Sequence, residues 1–244
     1  MDLPLGIPGK CVGIHAMRIL PLWLAPLVAF TAPIESQERL DAGGKEALHY
    51  LRFLPEGYED GKHPLVIFLH GSGERGNDLN RLKKHGPPKT AMAGHGFPFI
   101  LVAPQCPPGR WWDPAEVNSL TRELVKTLRV DPTRVHLTGL SMGGFGTWAC
   151  LAKAPELYAS AVPICGGGDP VTAGVLKDIP IWAFHGEKDQ AVPVAKTREM
   201  ESAIRKAGGK QFRATYYPDE AHESWTPAYA NPALLAWMML QQRK

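Results

Sequence analysis

The sequence predicts an α/β protein with a mostly parallel central sheet and helices on both of its faces. Three observations predict this fold class. From residue 48 to the C-terminus, apolar segments of strand length alternate with segments of helix length, which is typical of parallel sheets with crossover helices. Pro64–Leu69 is a continuous apolar run, as expected for a strand that is covered on both faces. Gly139–Gly143 places a glycine-flanked serine between a predicted strand and a predicted helix.

Each strand is predicted from an apolar or an alternating pattern. Leu48–Leu54 alternates like an early, half-exposed strand, whereas Arg134–Thr138 is β-branched and apolar enough to be buried. The other predicted strands are Phe99–Ala103, Ala161–Ile164, Ile179–Gly186 and Phe212–Tyr217.

Four longer helices are predicted between and after these strands. In the first, the apolar residues from Val117 to Leu128 are spaced for one helix face. Pro155 and Pro232 suit the first turns of a short helix and of the C-terminal helix, because proline is preformed for that position. The four helices are predicted near residues 117–128, 144–153, 195–207 and 231–241.

Ser141 is the candidate nucleophile. A strand, a glycine-flanked serine and a helix are the context of a nucleophile elbow, in which small neighbours permit a sharp turn and leave the serine hydroxyl exposed. The N–H of Met142 would then lie at a helix N-terminus, where it can stabilise an oxyanion. The alternative interpretation is a helix start that has no chemistry.

A serine hydroxyl needs a base, and the base needs an acid that orients it. Asp189 lies in the loop after one later predicted strand, and His222 lies in the loop after the next. Because this is the order expected downstream of Ser141, His222 is the predicted base and Asp189 the predicted orienting acid. Taken singly, Asp189 could cap the helix near Val194, and His222 could be an ordinary surface histidine. The rival acids are Glu187 and Asp219.

A second oxyanion donor is expected after an earlier central strand. The run Pro64–Leu69 ends in the glycine-rich segment His70–Gly76, whose backbone can approach a substrate closely. The N–H of Ser72 is therefore the predicted partner of the Met142 N–H. The alternative interpretation is a simple connection that carries an exposed Glu74–Arg75 pair.

These motifs together resemble the α/β-hydrolase superfamily over residues 45–244. Within it, the chain resembles small carboxylesterases related to dienelactone hydrolases, polyhydroxybutyrate-depolymerase-like esterases and prolyl-oligopeptidase-type predicted peptidases. The resemblance implies ester or peptide hydrolysis through Ser141, Asp189 and His222, without a cofactor. The segments that carry it are Leu69–Gly76, Ala103–Cys106, Asp131–Val135, Gly139–Gly144 and Phe184–Asp189.

The resemblance also implies where a cap domain would be inserted, between the strands that end near Cys165 and begin near Ile179. This gap, Gly166–Asp178, holds only thirteen residues. A helical lid does not fit into it, so we expect no cap domain and an open site. Lipases that are activated at oil interfaces depend on such a lid, which disfavours a lipase.

Three tryptophans lie near the predicted site. Trp111 and Trp112 follow a strand end, and Trp225 lies three residues after His222. Their indole rings would offer flat apolar surfaces to an acyl group or to an aromatic or sugar ring, so the three are predicted to bind substrate. The alternative is packing within the rim loops.

Composition excludes several function classes. The chain is 44% apolar and 21% charged, and its net charge of +3 comes from dispersed lysines and arginines. Arg81–His85 is more typical of a solvated face than of a nucleic-acid patch, and Gly166–Gly168 lacks the Lys-Ser/Thr of a phosphate loop. Zinc-type spacing is absent from the sequence. We therefore expect no metal, cofactor or nucleic-acid partner, and no essential disulfide among Cys106, Cys150 and Cys165.

The N-terminus differs from the rest, so the predicted organisation is a leader or signal-like segment over residues 1–36 and a catalytic domain over residues 37–244. Ile19–Pro33 is apolar but interrupted by two prolines, which disfavours a spanning helix and stable membrane insertion. With Arg18 before it, the run resembles a secretory signal, which predicts a secreted or periplasmic protein. The alternative is an arm on the domain of a cytoplasmic protein.

Three function hypotheses follow. The first is a carboxylesterase for short or exposed acyl groups on small-molecule or polymer-attached substrates. The second is a serine peptidase of the prolyl-oligopeptidase type, which the absence of a preceding propeller in this sequence disfavours. The third is a catalytically silent hydrolase fold that serves as a binding module, which an intact triad and oxyanion loop disfavour.

Overall fold

The computed structural model describes residues 33–40 and 47–244, which form an eight-stranded sheet. The strand order is β1-β2-β4-β3-β5-β6-β7-β8. β2 is antiparallel to β1 and to β4, whereas the pairings from β4 through β3 to β8 are all parallel. The strands are β1 (Ile34–Leu40), β2 (Leu48–Leu54), β3 (His63–Leu69), β4 (Ile100–Pro104), β5 (Val130–Leu140), β6 (Ser160–Ile164), β7 (Ile181–Gly186) and β8 (Phe212–Tyr217).

Helices cover both faces of the sheet, as predicted. They are α1 (Gly86–Met92), α2 (Pro114–Thr127), α3 (Met142–Lys153), α4 (Ala173–Leu176), α5 (Ala195–Lys206), α6 (Trp225–Ala230) and α7 (Pro232–Leu240). Side chains of α2 to α5 pack in one buried cluster, and those of α1, α6 and α7 pack in a second cluster. Among the described residues, none of the helices is long and apolar enough to cross a membrane.

The central position of β3 in the sheet explains why its sequence is a continuous apolar run. Leu65, Ile67 and Leu69 belong to the first buried cluster, whereas Val66 and Phe68 belong to the second. Successive side chains of a strand point to opposite faces, so both faces of β3 are covered by helices and neither can be polar. This arrangement confirms the predicted fold class.

β1 begins inside the segment that was predicted as a leader, residues 1–36. The strand pairs with β2 along its whole length, from Ile34 opposite Leu54 to Leu40 opposite Leu48. Residues 34–36 therefore belong to the sheet, and the division into a leader and a catalytic domain stays a prediction. The strand was missed because it lies at the sheet edge and is largely polar and solvent-facing, so it lacks an apolar pattern. The predicted signal-like run otherwise falls on residues 1–32, which lie outside the described residues.

Two helices beside the site were also not predicted. α1 begins with Gly86, and its first turn contains Pro87 and Pro88. Proline is tolerated in a first helical turn because the N–H it lacks would have no intrahelical partner there. α6 is short and likewise contains a proline, Pro227. Their hydrophobic contacts, rather than their propensity, keep these segments helical.

A buried histidine in β5 makes stability depend on pH. His136 is fully buried beside the Ser160 hydroxyl, and burial lowers its pKa to about 4, whereas an unfolded chain binds the proton near pH ~6.5. The unfolded state therefore takes up a proton first, and the free energy of unfolding should fall by roughly 2 kcal/mol between pH 7 and pH 5 from this residue. Urea unfolding at both pH values measures the change.

Two matched variants separate the contribution of His136 to the pH dependence of stability from that of other histidines. His136→Gln should reduce the loss of stability between pH 7 and pH 5, whatever its stability at pH 7. His49→Gln, at an exposed position of β2, should leave the loss unchanged. An identical pH dependence in wild type and His136→Gln would contradict the assignment.

Candidate active site

Ser141 occupies a sharp turn between β5 and α3. Its backbone has φ 52° and ψ −116°, a conformation that is uncommon and strained for a residue with a side chain. Gly139 and Gly143 permit the turn, because a Cβ at Gly139 would lie 2.8 Å from the Leu69 carbonyl oxygen and a Cβ at Gly143 would overlap that same oxygen. The nucleophile-elbow pattern in the sequence therefore corresponds to close backbone packing in the structure.

The structure brings Ser141, His222 and Asp189 together in one chain of hydrogen bonds. His222 Nε2 lies 2.9 Å from Ser141 Oγ, and His222 Nδ1 lies 2.8 Å from Asp189 Oδ2. An ionised carboxylate only accepts hydrogen bonds, so Nδ1–H donates to Asp189 and leaves Nε2 to accept from the Ser141 hydroxyl. The Asp189 side chain is fully buried, whereas His222 is partly exposed to an incoming substrate.

The loop after β7 holds Asp189 in place. Its Oδ1 accepts hydrogen bonds from the N–H groups of Ala191 (2.9 Å) and Val192 (2.8 Å), so it does not cap α5. Its Oδ2 lies 3.2 Å from His185 Nε2, which is also 2.9 Å from the Val192 carbonyl oxygen. Because both neighbours are acceptors, His185 Nε2 carries the proton and donates to them. This buried histidine was not predicted from the sequence, in which its signal is its position at the end of a strand.

The two rival acids are engaged elsewhere. Glu187 forms an ion pair with Arg198, in which one guanidinium nitrogen, Nη2, lies 2.5 and 2.7 Å from the two carboxylate oxygens. Asp219 is exposed and pairs with Lys188 at 2.8 Å, which lowers the pKa of its carboxyl through that hydrogen bond. Neither carboxylate takes the position beside His222 that Asp189 occupies.

The backbone segments that carry the two predicted oxyanion donors, Met142 and Ser72, lie close to Ser141. Met142 is the first residue of α3, where N–H groups have no partner within the helix. Ser72 begins a short 3₁₀ helix, Ser72–Glu74, directly after Gly71. A Cβ built on Gly71 would lie 3.7 Å from Ser141 Cβ, so this loop passes close to the serine. The two predicted oxyanion donors are thus on elements that flank Ser141.

Buried His70 fixes the peptide that carries the Ser72 N–H. His70 Nδ1 donates to the Gly71 carbonyl oxygen at 2.5 Å, while His70 Nε2 accepts from the Cys106 N–H at 2.9 Å. These two hydrogen bonds require the neutral tautomer that carries its proton on Nδ1. Burial favours the neutral imidazole, because it lowers the pKa of His70 to about 4. Since the C=O and N–H of a trans peptide point in opposite directions, holding the Gly71 oxygen also orients the Ser72 N–H.

Glu74 and Arg75 do not form the exposed pair that was the alternative interpretation. Glu74 is 5% exposed, and burial raises the pKa of its carboxyl, while Lys84 and the Gly71 N–H act in the opposite direction. Arg75 Nε donates to the Ser72 carbonyl oxygen at 3.0 Å. Both side chains therefore support the loop that carries Ser72.

The three tryptophans have different surroundings. Trp225 lines a cleft of about 220 Å³ together with Ser72, Ser141 and His222, and its ring lies edge-on to His222 at 5.3 Å. Trp111 is 62% exposed and packs edge-on against Phe145. Both positions are compatible with contact to a substrate. We call the 220 Å³ space the Ser141 cleft.

Trp112 corrects the sequence analysis. It is 7% exposed, its Nε1 donates to the His70 carbonyl oxygen at 3.1 Å, and its ring packs edge-on against the imidazole of His70. A buried indole in the core cannot offer its face to a substrate. Trp112 instead stabilises the loop that carries Ser72.

The short connection after β6 leaves the site uncovered. Gly166–Asp178 contains a 3₁₀ helix, Pro170–Thr172, and the four-residue α4, and these pack beside α5 rather than forming a lid. At its start, Cys165 offers a sulfur ligand atom within 4.8 Å of those of Asp189 and His222. Burial raises the pKa of the Cys165 thiol to about 12, and the other two side chains form a hydrogen bond with each other.

This sheet, with a strained serine at the tip of β5, defines an α/β-hydrolase, and comparison with known proteins agrees. Residues 112–231, just under half of the chain, match the model of the dienelactone hydrolase family. The protein has the α/β-hydrolase fold, and residues 112–231 are similar to the dienelactone hydrolase family. The resemblance inferred from the sequence motifs is confirmed.

Named relatives are hydrolases, several of them esterases. Poly(3-hydroxyalkanoate) depolymerase C of Paucimonas lemoignei is 28% identical over 121 residues, which cover 43% of this chain and 28% of that protein. A bifunctional acetylxylan esterase/xylanase of Neocallimastix patriciarum is 26% identical over 136 residues, 53% of this chain and 20% of that protein. The crystal structure of a thermostable esterase superposes with a TM-score of 0.74 at 33% identity, over 87% of this chain and 64% of that one. The chain thus spans less than a third of these two curated relatives, and the similarities support a hydrolase.

Proposed function

We propose that the protein is a serine carboxylesterase that cleaves esters with short or exposed acyl groups. The observation that carries the proposal is the chain of hydrogen bonds from Ser141 Oγ through His222 to Asp189, beside the N-terminus of α3. Nucleophile, base and orienting acid are within hydrogen-bond reach of one another, as serine-dependent acyl transfer requires.

The proposed mechanism follows from this geometry. Ser141 Oγ attacks the ester carbonyl carbon while His222 Nε2 takes the hydroxyl proton, and the Met142 and Ser72 N–H groups stabilise the oxyanion. The tetrahedral intermediate expels the alcohol, to which His222 returns the proton, and an acyl-enzyme remains on Ser141. Water then attacks the acyl carbon with His222 as base, and the acid is released. Asp189 holds His222 in the required tautomer throughout.

The acyl group is assigned to the Ser141 cleft. With a volume of about 220 Å³ and polar neighbours such as Glu74, Lys84 and Glu223, the cleft suits a small acyl group better than a long alkyl chain. The open edge of the site lets the alcohol part of the ester be large, including a polymer. Relatives named as a polyester depolymerase and an acetylxylan esterase support esters on polymers as substrates.

Chain-length preference tests the proposal. On p-nitrophenyl esters from C2 to C16, kcat/KM should be highest for short acyl groups and then decline gradually, since one methylene changes discrimination by only about 1–3 kcal/mol. Rates on tributyrin should saturate below its solubility limit, because the described connection after β6 forms no lid that an interface could open. A maximum at C12 or longer, or a jump in rate when droplets form, would contradict the assignment.

Peptide substrates provide the comparison with the second hypothesis. Aminoacyl-p-nitroanilides should be hydrolysed far more slowly than the matching p-nitrophenyl esters at the same pH. Anilide hydrolysis as efficient as ester hydrolysis would favour a peptidase. An enzyme that turns over neither class would favour a binding module.

A further inference from the structure

A second, larger cleft begins beside the catalytic serine and is not used by the proposed chemistry. It has a volume of about 530 Å³ and follows the outer surface of α3, and we call it the α3 groove. Its walls are mainly aromatic and small apolar side chains, and its rim is polar. The residues that line it include Trp111, Phe145, Ala149, Ala152, Asp169 and Lys196.

The α3 groove starts at the same end of the sheet as Ser141. The Phe145 N–H donates to the Ser141 carbonyl oxygen at 3.0 Å, so Phe145 lies one helical turn beyond the nucleophile. From Phe145 to Ala152 the groove follows α3 for about 10 Å, at 1.5 Å per residue. Its other wall comes from the loop after β6, where a Cβ at Gly167 would lie 3.2 Å from the Phe145 ring. To occupy this groove, a molecule with its ester at Ser141 must extend past Phe145.

The two walls of the groove have opposite chemistry. Trp111 is 62% exposed and presents an indole beside the edge of Phe145, at a centroid distance of 5.9 Å. The groove is also lined by the exposed carboxylate of Asp169 and the exposed ammonium of Lys196, whose ion pair with Glu199 is long at 3.7 Å. An apolar flat surface thus lines the same groove as one hydrogen-bond acceptor and one donor.

From this arrangement we infer that the α3 groove is a carbohydrate subsite, which binds the sugar that carries the acyl ester. A pyranose ring has an apolar C–H face that stacks on an indole, and its hydroxyl groups both donate and accept hydrogen bonds. The ring face matches Trp111, and the hydroxyls match Asp169 and Lys196. The inference rests on the proposed esterase function and names its substrate class as acylated oligo- or polysaccharides.

Other occupants fit the groove less well. A carboxylated aromatic acid would need a net positive rim, but the charge of Lys196 is balanced there by Asp169. A long alkyl chain gains most from an enclosed tunnel, whereas Trp111 leaves this groove open to solvent. A neutral, hydroxylated ring satisfies both charged rim residues and still covers apolar surface.

Substrate comparison in single variants tests the inference. The substrates are partly acetylated xylo-, cello- and mannohexaose, with p-nitrophenyl acetate and ethyl ferulate as references. We expect the ratio of kcat/KM for at least one acetylated hexasaccharide to that for p-nitrophenyl acetate to fall about tenfold in Trp111→Ala. Trp111→Phe should restore part of this ratio. Leu240→Ala, which removes another exposed apolar side chain at the far end of α7, should leave it unchanged.

Binding without turnover separates this inference from the esterase assignment. Calorimetric titration of wild type with the unacetylated hexasaccharides should show binding that weakens in Trp111→Ala and in Asp169→Asn, a variant in which asparagine can still accept the Val171 N–H. The titration tests whether the α3 groove binds carbohydrate, even if no ester is hydrolysed and the esterase assignment fails. Three results would overturn the inference: no hexasaccharide binds, Trp111→Ala lowers all ester activities equally, or only ethyl ferulate depends on Trp111.

Discussion

Ser141→Ala is expected to abolish ester hydrolysis, with a loss on the order of 10⁶ in kcat if the triad acts as a unit, as in a well-studied serine protease. No other side chain can replace the hydroxyl 2.9 Å from His222 Nε2, because the turn presents only Ser141 at the tip of β5. Intact-mass analysis after treatment with a fluorophosphonate should show one added group in wild type and none in the variant.

The control for this substitution is Ser202→Ala, which removes an exposed serine on α5 by the same atom change. It should retain both hydrolysis and labelling. Labelling that persists in Ser141→Ala would show that the nucleophile lies elsewhere and would remove the proposed mechanism.

Asp189→Asn should be the second most damaging substitution, with a loss of about 10⁴ in kcat by analogy with serine proteases. The asparagine amide can donate to His222 Nδ1. The imidazole then carries its proton on Nε2, so Nε2 cannot accept the proton of the Ser141 hydroxyl. Folding should be affected little, because the remaining amide oxygen can still accept the N–H groups of Ala191 and Val192, and His185 Nε2, which loses Oδ2 as an acceptor, keeps the Val192 carbonyl oxygen. Steady-state kinetics on p-nitrophenyl acetate, with circular dichroism to verify folding, measure the effect.

The rival carboxylates supply the controls for Asp189. Asp219→Asn and Glu187→Gln break surface ion pairs with Lys188 and Arg198, so each should change kcat only slightly. If either variant lost more activity than Asp189→Asn, the orienting acid would have been assigned to the wrong residue.

The proximity of Ser141, Asp189 and His222 was predictable because each lies just beyond a predicted strand. Apolar segments mark β5 and β7, aromatic and β-branched residues mark β8, and parallel strands place their carboxyl ends at one edge of the sheet. Asp189 and His222 could therefore be assigned from their order alone, and the structure places both beside Ser141.

The supporting contacts could not be predicted in this way, because they join segments that have no periodic relation. The hydrogen bond from the Cys106 N–H to His70 spans 36 residues, and that from Trp112 to the His70 carbonyl spans 42. Trp112 was predicted to bind substrate because it is adjacent to Trp111 in the sequence. Only the packing shows that Trp111 is exposed and that Trp112 is buried. β1 escaped prediction because an edge strand with polar side chains carries no hydrophobic signal.

The wide spacing of the triad along the chain has a consequence for folding. Ser141 and His222 are 81 residues apart, and β6 and β7 separate β5 from β8 in the sheet. The catalytic hydrogen bonds can form only after these non-local strand pairings are complete, and such pairings are the slow events in folding. During refolding, hydrolytic activity should therefore return with the last long-range step rather than with helix formation. The rate at which a chromogenic ester is hydrolysed during refolding would therefore report when the sheet is complete.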